Sequence, residues 1–170
     1  MVIFVITELM FFAGFISAFT IMRGSAVIWP PPDQPRLPVG ETAFNSALLL
    51  ASGVILFAGS RRFRSRPDPL RRALLAAIVL GGAFVGLQGR EWLQLLAEGL
   101  TMNSSALGSF FYLIVGVHGL HALVALGVLL QLWLRMGRES VPRPTLAAAE
   151  IFWYFVVGVW PVLYWRVYLS

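Results

Sequence analysis

Apolar residues form five long stretches in this sequence, and the breaks between them are rich in proline and arginine. Apolar runs of about 18 residues or more are typical of helices that cross the ~30 Å hydrocarbon core of a membrane. These runs are apolar on every side and do not alternate in polarity, which disfavours a membrane β-barrel. We therefore predict five membrane-spanning helices, at approximately 1–28, 42–60, 70–97, 106–134 and 146–168.

The composition supports an integral membrane protein. Of the 170 residues, 58% are hydrophobic and 12% are charged, with a mean hydropathy of +0.79, whereas about 25% of the residues in a soluble domain are charged. All 13 basic residues are arginine, and the chain contains no cysteine, which excludes disulfides and thiolate metal sites. We expect an all-α bundle that forms a single membrane domain over residues 1–170.

The distribution of arginine predicts the orientation in the membrane. The links between helices two and three and between helices four and five contain Arg61, Arg62, Arg64, Arg66, Arg71, Arg72, Arg135, Arg138 and Arg143. The link between helices three and four contains no basic residue, so the positive-inside rule places the N-terminus in the cytoplasm and the C-terminus outside. We expect the proline-rich segment 29–38 to be an extended strap on the outer face. Trp29, Trp92 and Trp165 are predicted interfacial anchors.

Three ionisable residues lie at a similar depth in the predicted helices. Glu8 is roughly 10–12 Å from the inner end of helix one. His118 and His121 share a face of helix four, about 8–12 Å from the inner surface. Buried charge is costly in lipid, so such residues are candidate functional residues. We predict a polar membrane site in which Glu8 forms a carboxylate–imidazole hydrogen bond between helices one and four.

This predicted site has three interpretations. The first is a structural polar clasp between helices. The second is a protonatable site beside a proton pathway, since burial disfavours the charged forms of both carboxyl and imidazole groups. The third is metal or haem ligation, which would need further ligands because His118 and His121 are the only histidines. We expect no catalytic, cofactor-binding or metal-binding residue in this chain.

A second polar group lies near the outer end of helix three, about twenty residues from its inner end. Its members are Gln88, Arg90, Glu91 and Glu98. One interpretation is solvated charge at the membrane surface, and the alternative is an outer-face polar site formed by Gln88 and Glu91. Glu150 and Arg166 are interpreted as the interfacial ends of helix five.

Six short motifs occur in order along the chain. Residues 7–14 read TELMFFAG and residues 116–121 read GVHGLH; the others are WPP at 29–31, NSALLLASG at 45–53, LG at 80–81 followed by Gln88, Glu91 and Trp92, and GSFF at 108–111. The first is similar to S-E-x-M-F-F-x-G and the second to G-x-H-G-x-H of one family. On these motifs the chain resembles subunit III of haem–copper respiratory oxidases, the cytochrome c and quinol oxidase group, along nearly its whole length.

The resemblance implies a subunit without redox cofactors that packs against the catalytic subunit I. It implies that haem and copper are held by partner subunits, and that phospholipid binds beside the first two of the family's seven helices. Glu8 matches the family's carbodiimide-reactive carboxyl, and His118 and His121 match its polar partners. We therefore expect a role in stabilising subunit I and supporting proton uptake, in a bacterial-type plasma membrane.

The chain also departs from the family pattern. It begins where the family's third helix would, so the resemblance predicts a five-helix form in which another chain supplies the missing helices. In helix five the family usually reads Y-W-H-F-V-D-x-V-W, whereas residues 152–160 read FWYFVVGVW. Tyr154 and Val157 therefore replace an ionisable His and Asp, which indicates a divergent branch.

These observations favour a non-catalytic subunit of a respiratory terminal oxidase. An alternative is the accessory membrane subunit of nitric oxide reductase, which shares much of the pattern. A small transporter or channel would need a polar path and discontinuous paired helices, which the sequence does not indicate. No nucleophile or cofactor motif indicates an enzyme in its own right. The electron donor, cytochrome c or quinol, is determined by other subunits.

Overall fold

The computed structural model describes residues 1–28, 35–63, 67–137 and 141–169, in which no strand occurs. Its helices are α1 (Val2–Ser25), α2 (Val39–Phe63), α3 (Pro67–Ala97), α4 (Ala106–Met136) and α5 (Arg143–Leu163), and a π-helical segment, Tyr164–Leu169, continues α5. Five helices are long and apolar enough to cross a membrane. This confirms the predicted all-α fold with five membrane-spanning helices.

The helix ends follow from the local sequence. Ser105 accepts a hydrogen bond from the Gly108 N–H at 3.0 Å, which satisfies one of the free donors at the start of α4. Near the end of the chain, Pro161 has no amide hydrogen and interrupts the α-helical hydrogen-bond ladder. The α-helix ends two residues later at Leu163, and the π-helical segment keeps the chain helical beyond the proline.

Helix α5 lies at the centre of the bundle. It contacts α1, α2 and α4, and its Trp153 and Trp160 side chains are fully buried. Helix α3 packs against both α2 and α4, while α1 lies at the edge against α4 and α5. Phe12 and Phe19 are the buried residues of α1. The bundle therefore has a tightly enclosed half around α5 and a more exposed half around α1.

Two glycines allow α5 to approach its neighbours closely. A Cβ atom added to Gly81 of α3 would lie 2.5 Å from the Trp153 ring, and one added to Gly53 of α2 would lie 2.8 Å from Val157. Helix association in a membrane depends on such close packing rather than on the expulsion of water. Both glycines therefore allow α5 to pack closely against α2 and α3.

The arginines in the described residues lie mainly at one end of the bundle, which we call the arginine-rich end. This end contains Arg61, Arg62, Arg71, Arg72, Arg135 and Arg143. Arg64, Arg66 and Arg138 lie outside the described residues, as do residues 29–34 of the predicted strap. Residues 35–38 are not helical. The orientation of this end in the membrane stays a prediction.

The three predicted interfacial tryptophans differ in position. Trp165 is 60% exposed, as an anchor at the membrane surface would be. Trp92 is partly buried, and its ring lies over Gly116 and Gly119 of α4. Trp92 therefore packs between helices instead of standing at the surface. Trp29 lies outside the described residues.

Candidate functional site

Glu8 projects from α1 toward α4. Its Oε2 lies 3.1 Å from Nε2 of His121, and the two side chains are 21% and 15% exposed. Glu8 is seven residues from the start of the chain, which places it roughly 10 Å along the helix axis. The structure thus brings together the carboxyl and one of the two imidazoles of the predicted polar membrane site.

The second nitrogen of His121 is also engaged. Its Nδ1 lies 2.7 Å from the backbone carbonyl oxygen of Val117, one helical turn earlier. A carbonyl only accepts hydrogen bonds, so Nδ1 carries a hydrogen and donates it. This bond fixes the orientation of the ring and turns Nε2 toward Glu8.

The two contacts of His121 determine how many protons the pair holds. With a hydrogen on Nδ1, the 3.1 Å contact between Nε2 and Glu8 Oε2 needs one further proton. That proton resides on Glu8 as a neutral acid or on Nε2 as an imidazolium. Either form holds one proton more than an ionised Glu8 beside a neutral imidazole. We call Glu8 and His121 the proton-sharing pair.

Aromatic side chains surround the proton-sharing pair. The ring centroids of Phe12, Phe152 and Phe155 lie 5.6, 6.4 and 5.9 Å from that of His121. Phe152 and Phe155 are stacked on each other with an interplanar angle of 11°. These rings keep one side of the pair apolar. The electrostatic interaction between two groups is stronger in such surroundings than in water.

His118 does not join the pair. It is 1% exposed, and its ring lies over Trp160 of α5 at a centroid distance of 5.0 Å. Its Nε2 has no hydrogen-bond partner among the described residues. Residues three apart on a helix differ by about 60° in direction, so His121 reaches α1 while His118 turns toward α5. The predicted site therefore divides between two neighbourhoods.

Glu91 forms a second site together with α2. Its carboxyl is 2% exposed and accepts hydrogen bonds from Thr42 Oγ1 at 2.8 Å, Asn45 Nδ2 at 2.7 Å and Gln88 Nε2 at 2.8 Å. The interpretation of Glu91 as solvated surface charge is therefore wrong. Helices α2 and α3 enclose this carboxyl, and we call these four residues the Glu91 network.

The Glu91 network extends to the last part of the chain. Gln88 Nε2 also donates to the hydroxyl of Tyr168 at 3.1 Å, and Trp160 Nε1 donates to Ser46 Oγ at 2.7 Å. Thr42 Oγ1 lies 2.8 Å from Glu91 Oε2 and 2.9 Å from the Pro38 carbonyl oxygen, and its single hydrogen is donated to one of these acceptors at a time. These bonds connect α2, α3, α5 and the π-helical segment through side chains, as expected of a structural network in lipid.

Glu150 is a third carboxyl that sequence reasoning misplaced. It was interpreted as an interfacial end, yet it is 6% exposed and accepts a hydrogen bond from Ser60 Oγ at 2.6 Å. The signal that could have located it is a polar stripe along α2. The buried polar residues of that helix are Thr42, Asn45, Ser46, Ser52 and Ser60. At about 100° per residue these five positions lie within an arc of about 120°, which indicates one face that meets buried polar groups.

The residues present do not fit a haem or metal site. Among the described residues there is no group of three or more His, Cys, Asp or Glu side chains able to hold a metal ion. Both nitrogens of His121 contact protein atoms, so neither nitrogen is available to bind a metal or haem iron. His118 alone would supply one ligand. In the described residues, Glu8, His121 and Glu91 are instead held by contacts with protein atoms.

Fold and sites together define a class: a helical membrane protein with carboxyl groups held between its helices. Within that class, the family model for cytochrome c oxidase subunit III matches residues 1–170. The chain belongs to the cytochrome c oxidase subunit III family. It is accordingly a membrane protein and a subunit of a multi-subunit oxidase complex.

Relatives from distant organisms support this membership. The chain is 32% identical to cytochrome c oxidase subunit 3 of Synechocystis, over 99% of this chain and 73% of the relative. It is 33% identical to the probable cytochrome c oxidase subunit 3 of Nocardia farcinica, over 98% and 84%. The mouse (Mus musculus) cytochrome c oxidase subunit 3 is 32% identical, over 99% and 67%.

Proposed function

We propose that this chain is a non-catalytic subunit III that stabilises subunit I of its oxidase complex and supports proton uptake in aerobic electron transport. The observation that carries the proposal is the 3.1 Å contact between Glu8 and His121. It joins two titratable groups across α1 and α4 in an apolar part of the bundle. Such pairs inside membranes are typical of proton relays.

The geometry of the pair supports proton exchange at one position. A proton that reaches an ionised Glu8 beside a neutral His121 is held between Oε2 and Nε2, and the reverse step releases it. The other ring hydrogen stays on Nδ1 throughout and is donated to the Val117 carbonyl oxygen. Glu8 Oε1 has no partner among the described residues, and the 21% exposure of its side chain gives a donor outside the bundle access to it. The pair therefore holds one proton at a time.

The proposal places the arginine-rich end on the cytoplasmic side of a bacterial-type plasma membrane, following the positive-inside rule. The N-terminus of α1 then lies on that side. Glu8 is roughly 10 Å from this end, within the inner half of the ~30 Å hydrocarbon core. This is the depth at which a carboxyl could exchange protons with the cytoplasm through few intermediate steps.

The exposed face of α1 supports a role beside another component of the membrane. Ile3, Met10 and Ile21 are 81, 70 and 73% exposed. In a bilayer such an apolar face packs against lipid tails or against another helix. We propose that bound phospholipid and subunit I cover the exposed faces of this bundle, and that haem and copper are held by the partner subunits.

The first test is the composition of the purified assembly. We expect that mild-detergent purification through a tag on this chain recovers a subunit with the spectrum of a haem–copper oxidase. Recovery with a haem and non-haem-iron reductase would instead support nitric oxide reductase. Recovery of a homo-oligomer that transports a solute would contradict both.

The second test addresses proton uptake. We expect Glu8→Gln to leave the haem content unchanged while lowering proton uptake per electron or the number of turnovers before activity is lost. Glu98→Gln is the matched control, because Glu98 is exposed and lies beyond the end of α3. Equal proton uptake and equal turnover life in Glu8→Gln, Glu98→Gln and the wild type would overturn the role of Glu8.

A further inference from the structure

A pocket of about 280 Å³ opens between α3 and α4, away from the proton-sharing pair. Its apolar wall includes Phe84, Val85, Leu120, Leu123 and Trp160. Leu120 and Leu123 are 60% and 56% exposed, so the mouth of the pocket lies on the surface that meets the membrane. A molecule dissolved in the bilayer can therefore reach the interior without crossing the bundle.

Three polar atoms on residues that line this pocket have no hydrogen-bond partner within the described part of the chain. They are Gln88 Oε1, Trp92 Nε1 and His118 Nε2. Gln88 is 5% and His118 1% exposed. Buried polar atoms of native proteins are almost always hydrogen-bonded, and three exceptions at one pocket need an explanation.

The orientation of the Gln88 amide is determined by its neighbour. Its Nε2 donates to Glu91 Oε2 at 2.8 Å and to the Tyr168 hydroxyl at 3.1 Å. The opposite orientation would direct the amide oxygen at a carboxyl oxygen and lose a hydrogen bond. Gln88 therefore offers an acceptor, Oε1, as its unused atom.

The three atoms call for a group that both donates and accepts. Gln88 Oε1 can only accept a hydrogen bond, and Trp92 Nε1 can only donate one. His118 Nε2 takes either role, depending on the tautomer. A hydroxyl is the smallest organic group that satisfies a donor and an acceptor at once. Among the residues that the structure describes, no Asp, Glu, Lys or Arg lines the pocket, so its chemistry fits an uncharged molecule.

We propose that this pocket binds an uncharged, hydroxyl-bearing amphiphile from the membrane, with the hydroxyl between Gln88, Trp92 and His118 and the apolar body along Leu120 and Leu123. The volume equals that of roughly nine water molecules at ~30 Å³ each, which is room for an organic head group. The wall is too apolar for that many ordered waters, since each needs two to four polar partners. A membrane glyceride and a hydroquinone both carry the required hydroxyl.

The test uses a photoreactive alcohol, 3-azioctanol, on the purified oxidase complex in phosphatidylcholine vesicles. Its hydrocarbon counterpart, 3-azioctane, has the same chain and no hydroxyl. We expect saturable labelling of α3 and α4 residues by the alcohol, reduced by excess octanol and not by octane. Competition by a monoglyceride and by a hydroquinone, measured separately, distinguishes the two sources of the hydroxyl.

Two glycines of α3 provide a matched pair of variants. Gly89 lines the pocket, and a Cβ atom at this position meets nothing within 4 Å, so Gly89→Leu fills the space without a clash at Cβ. Gly86 is one turn away, also has open space, and is not among the residues that line the pocket. We expect Gly89→Leu to abolish saturable labelling and Gly86→Leu to leave it unchanged.

Trp92→Phe tests the hydroxyl contact itself. The variant keeps an aromatic ring in place and removes the Nε1 donor. We expect half-saturation to require about fivefold more alcohol, the effect of losing one hydrogen bond. Assembly of the complex with an unchanged haem spectrum shows that each variant is folded.

Three results would overturn the proposal. Equal labelling by the alcohol and the hydrocarbon would mean that the pocket holds lipid tails only. Labelling of the isolated subunit but not of the complex would mean that a partner helix covers the pocket. Saturable labelling that survives Gly89→Leu would place the alcohol at another site.

Discussion

The bundle holds two carboxyl groups, Glu8 and Glu91, in different ways. Glu91 is 2% exposed, and side chains of α2 and α3 donate to both of its oxygens. Glu8 lies between the edge helix α1 and α4, is 21% exposed, and contacts one partner, His121. One carboxyl is enclosed by hydroxyl and amide donors, and the other faces an imidazole.

Under the proposed function, this difference separates a structural role for Glu91 from a proton-exchanging role for Glu8. Thr42, Asn45 and Gln88 donate to Glu91 through a hydroxyl and amides, and none of the three is an imidazole or carboxyl that could take up its proton. His121 can accept or return a proton at Nε2, and its Nδ1 contact keeps the ring in place. A carboxyl inside the membrane is therefore not a proton site by itself. Its hydrogen-bond partner and its exposure to the membrane determine which role it can have.

The largest expected difference between the two carboxyls is in chemical labelling. A hydrophobic carbodiimide reacts with a carboxyl that it can reach from the membrane, and Glu8 is exposed where Glu91 and Glu150 are not. We expect Glu8→Ala to abolish labelling of this chain, as measured by mass spectrometry of the purified subunit. Labelling that persists unchanged in Glu8→Ala, or that maps to Glu91, would remove the distinction.

A large effect on stability is expected at the other carboxyl. Glu91→Leu leaves Asn45 Nδ2 buried without its acceptor and leaves Gln88 Nε2 with the Tyr168 hydroxyl alone, and we expect it to lower the free energy of unfolding by about 3 kcal/mol. Thermal unfolding of the purified complex measures the loss. Glu8→Leu should cost less, because His121 loses one contact and keeps its bond to the Val117 carbonyl. A smaller loss for Glu91→Leu than for Glu8→Leu would reverse the assignment.

A smaller loss of stability is expected when Ser46, the acceptor of Trp160 Nε1, is changed. Ser46→Ala removes the acceptor of Trp160 Nε1 and leaves that buried donor unsatisfied, at a cost of about 1–2 kcal/mol. Thr20→Ala is the control, since Thr20 is exposed and its hydroxyl bonds to its own helix at the Ile16 carbonyl. Thermal unfolding should separate the two variants. Equal stability would show that the Trp160–Ser46 bond contributes nothing measurable.

No effect is expected on the haem spectra when both histidines are removed. His118→Ala combined with His121→Ala should leave the visible absorption of the purified complex unchanged, because the described residues do not fit haem or metal ligation. The same variant should lose the proton uptake that depends on Glu8. Loss of a haem band in a complex of normal subunit composition would contradict the absence of ligation.

The five helices were predictable because the residues near each helix end determine where the helix begins or ends. Long apolar runs between proline and arginine clusters determine where helices begin and end, without knowledge of their neighbours. The shared depth of Glu8 and His121 was predictable for the same reason, since depth follows from the 1.5 Å rise per residue. Their contact also requires that α1 lies against α4, which is known only from the structure.

The burial of Glu91 and Glu150 could not be predicted from depth alone. Each depends on which face of α2 meets the neighbouring helix, and that rotation is determined by close packing at positions such as Gly53 and Gly81. His118 illustrates the same limit. A step of three residues separates its direction from that of His121 by about 60°, which is enough to bring one ring to Glu8 and to place the other over Trp160.

The most direct test of the central claim is the ¹⁵N magnetic resonance spectrum of the two histidines in the wild type and in Glu8→Leu. A proton shared between Glu8 and His121 requires the Nε2 resonance of His121 to shift in the variant, while the resonances of His118 stay in place. Glu91→Gln is the control and should move neither Nε2 resonance by a comparable amount. If His121 is unchanged in Glu8→Leu, the two side chains do not share a proton and the account is wrong.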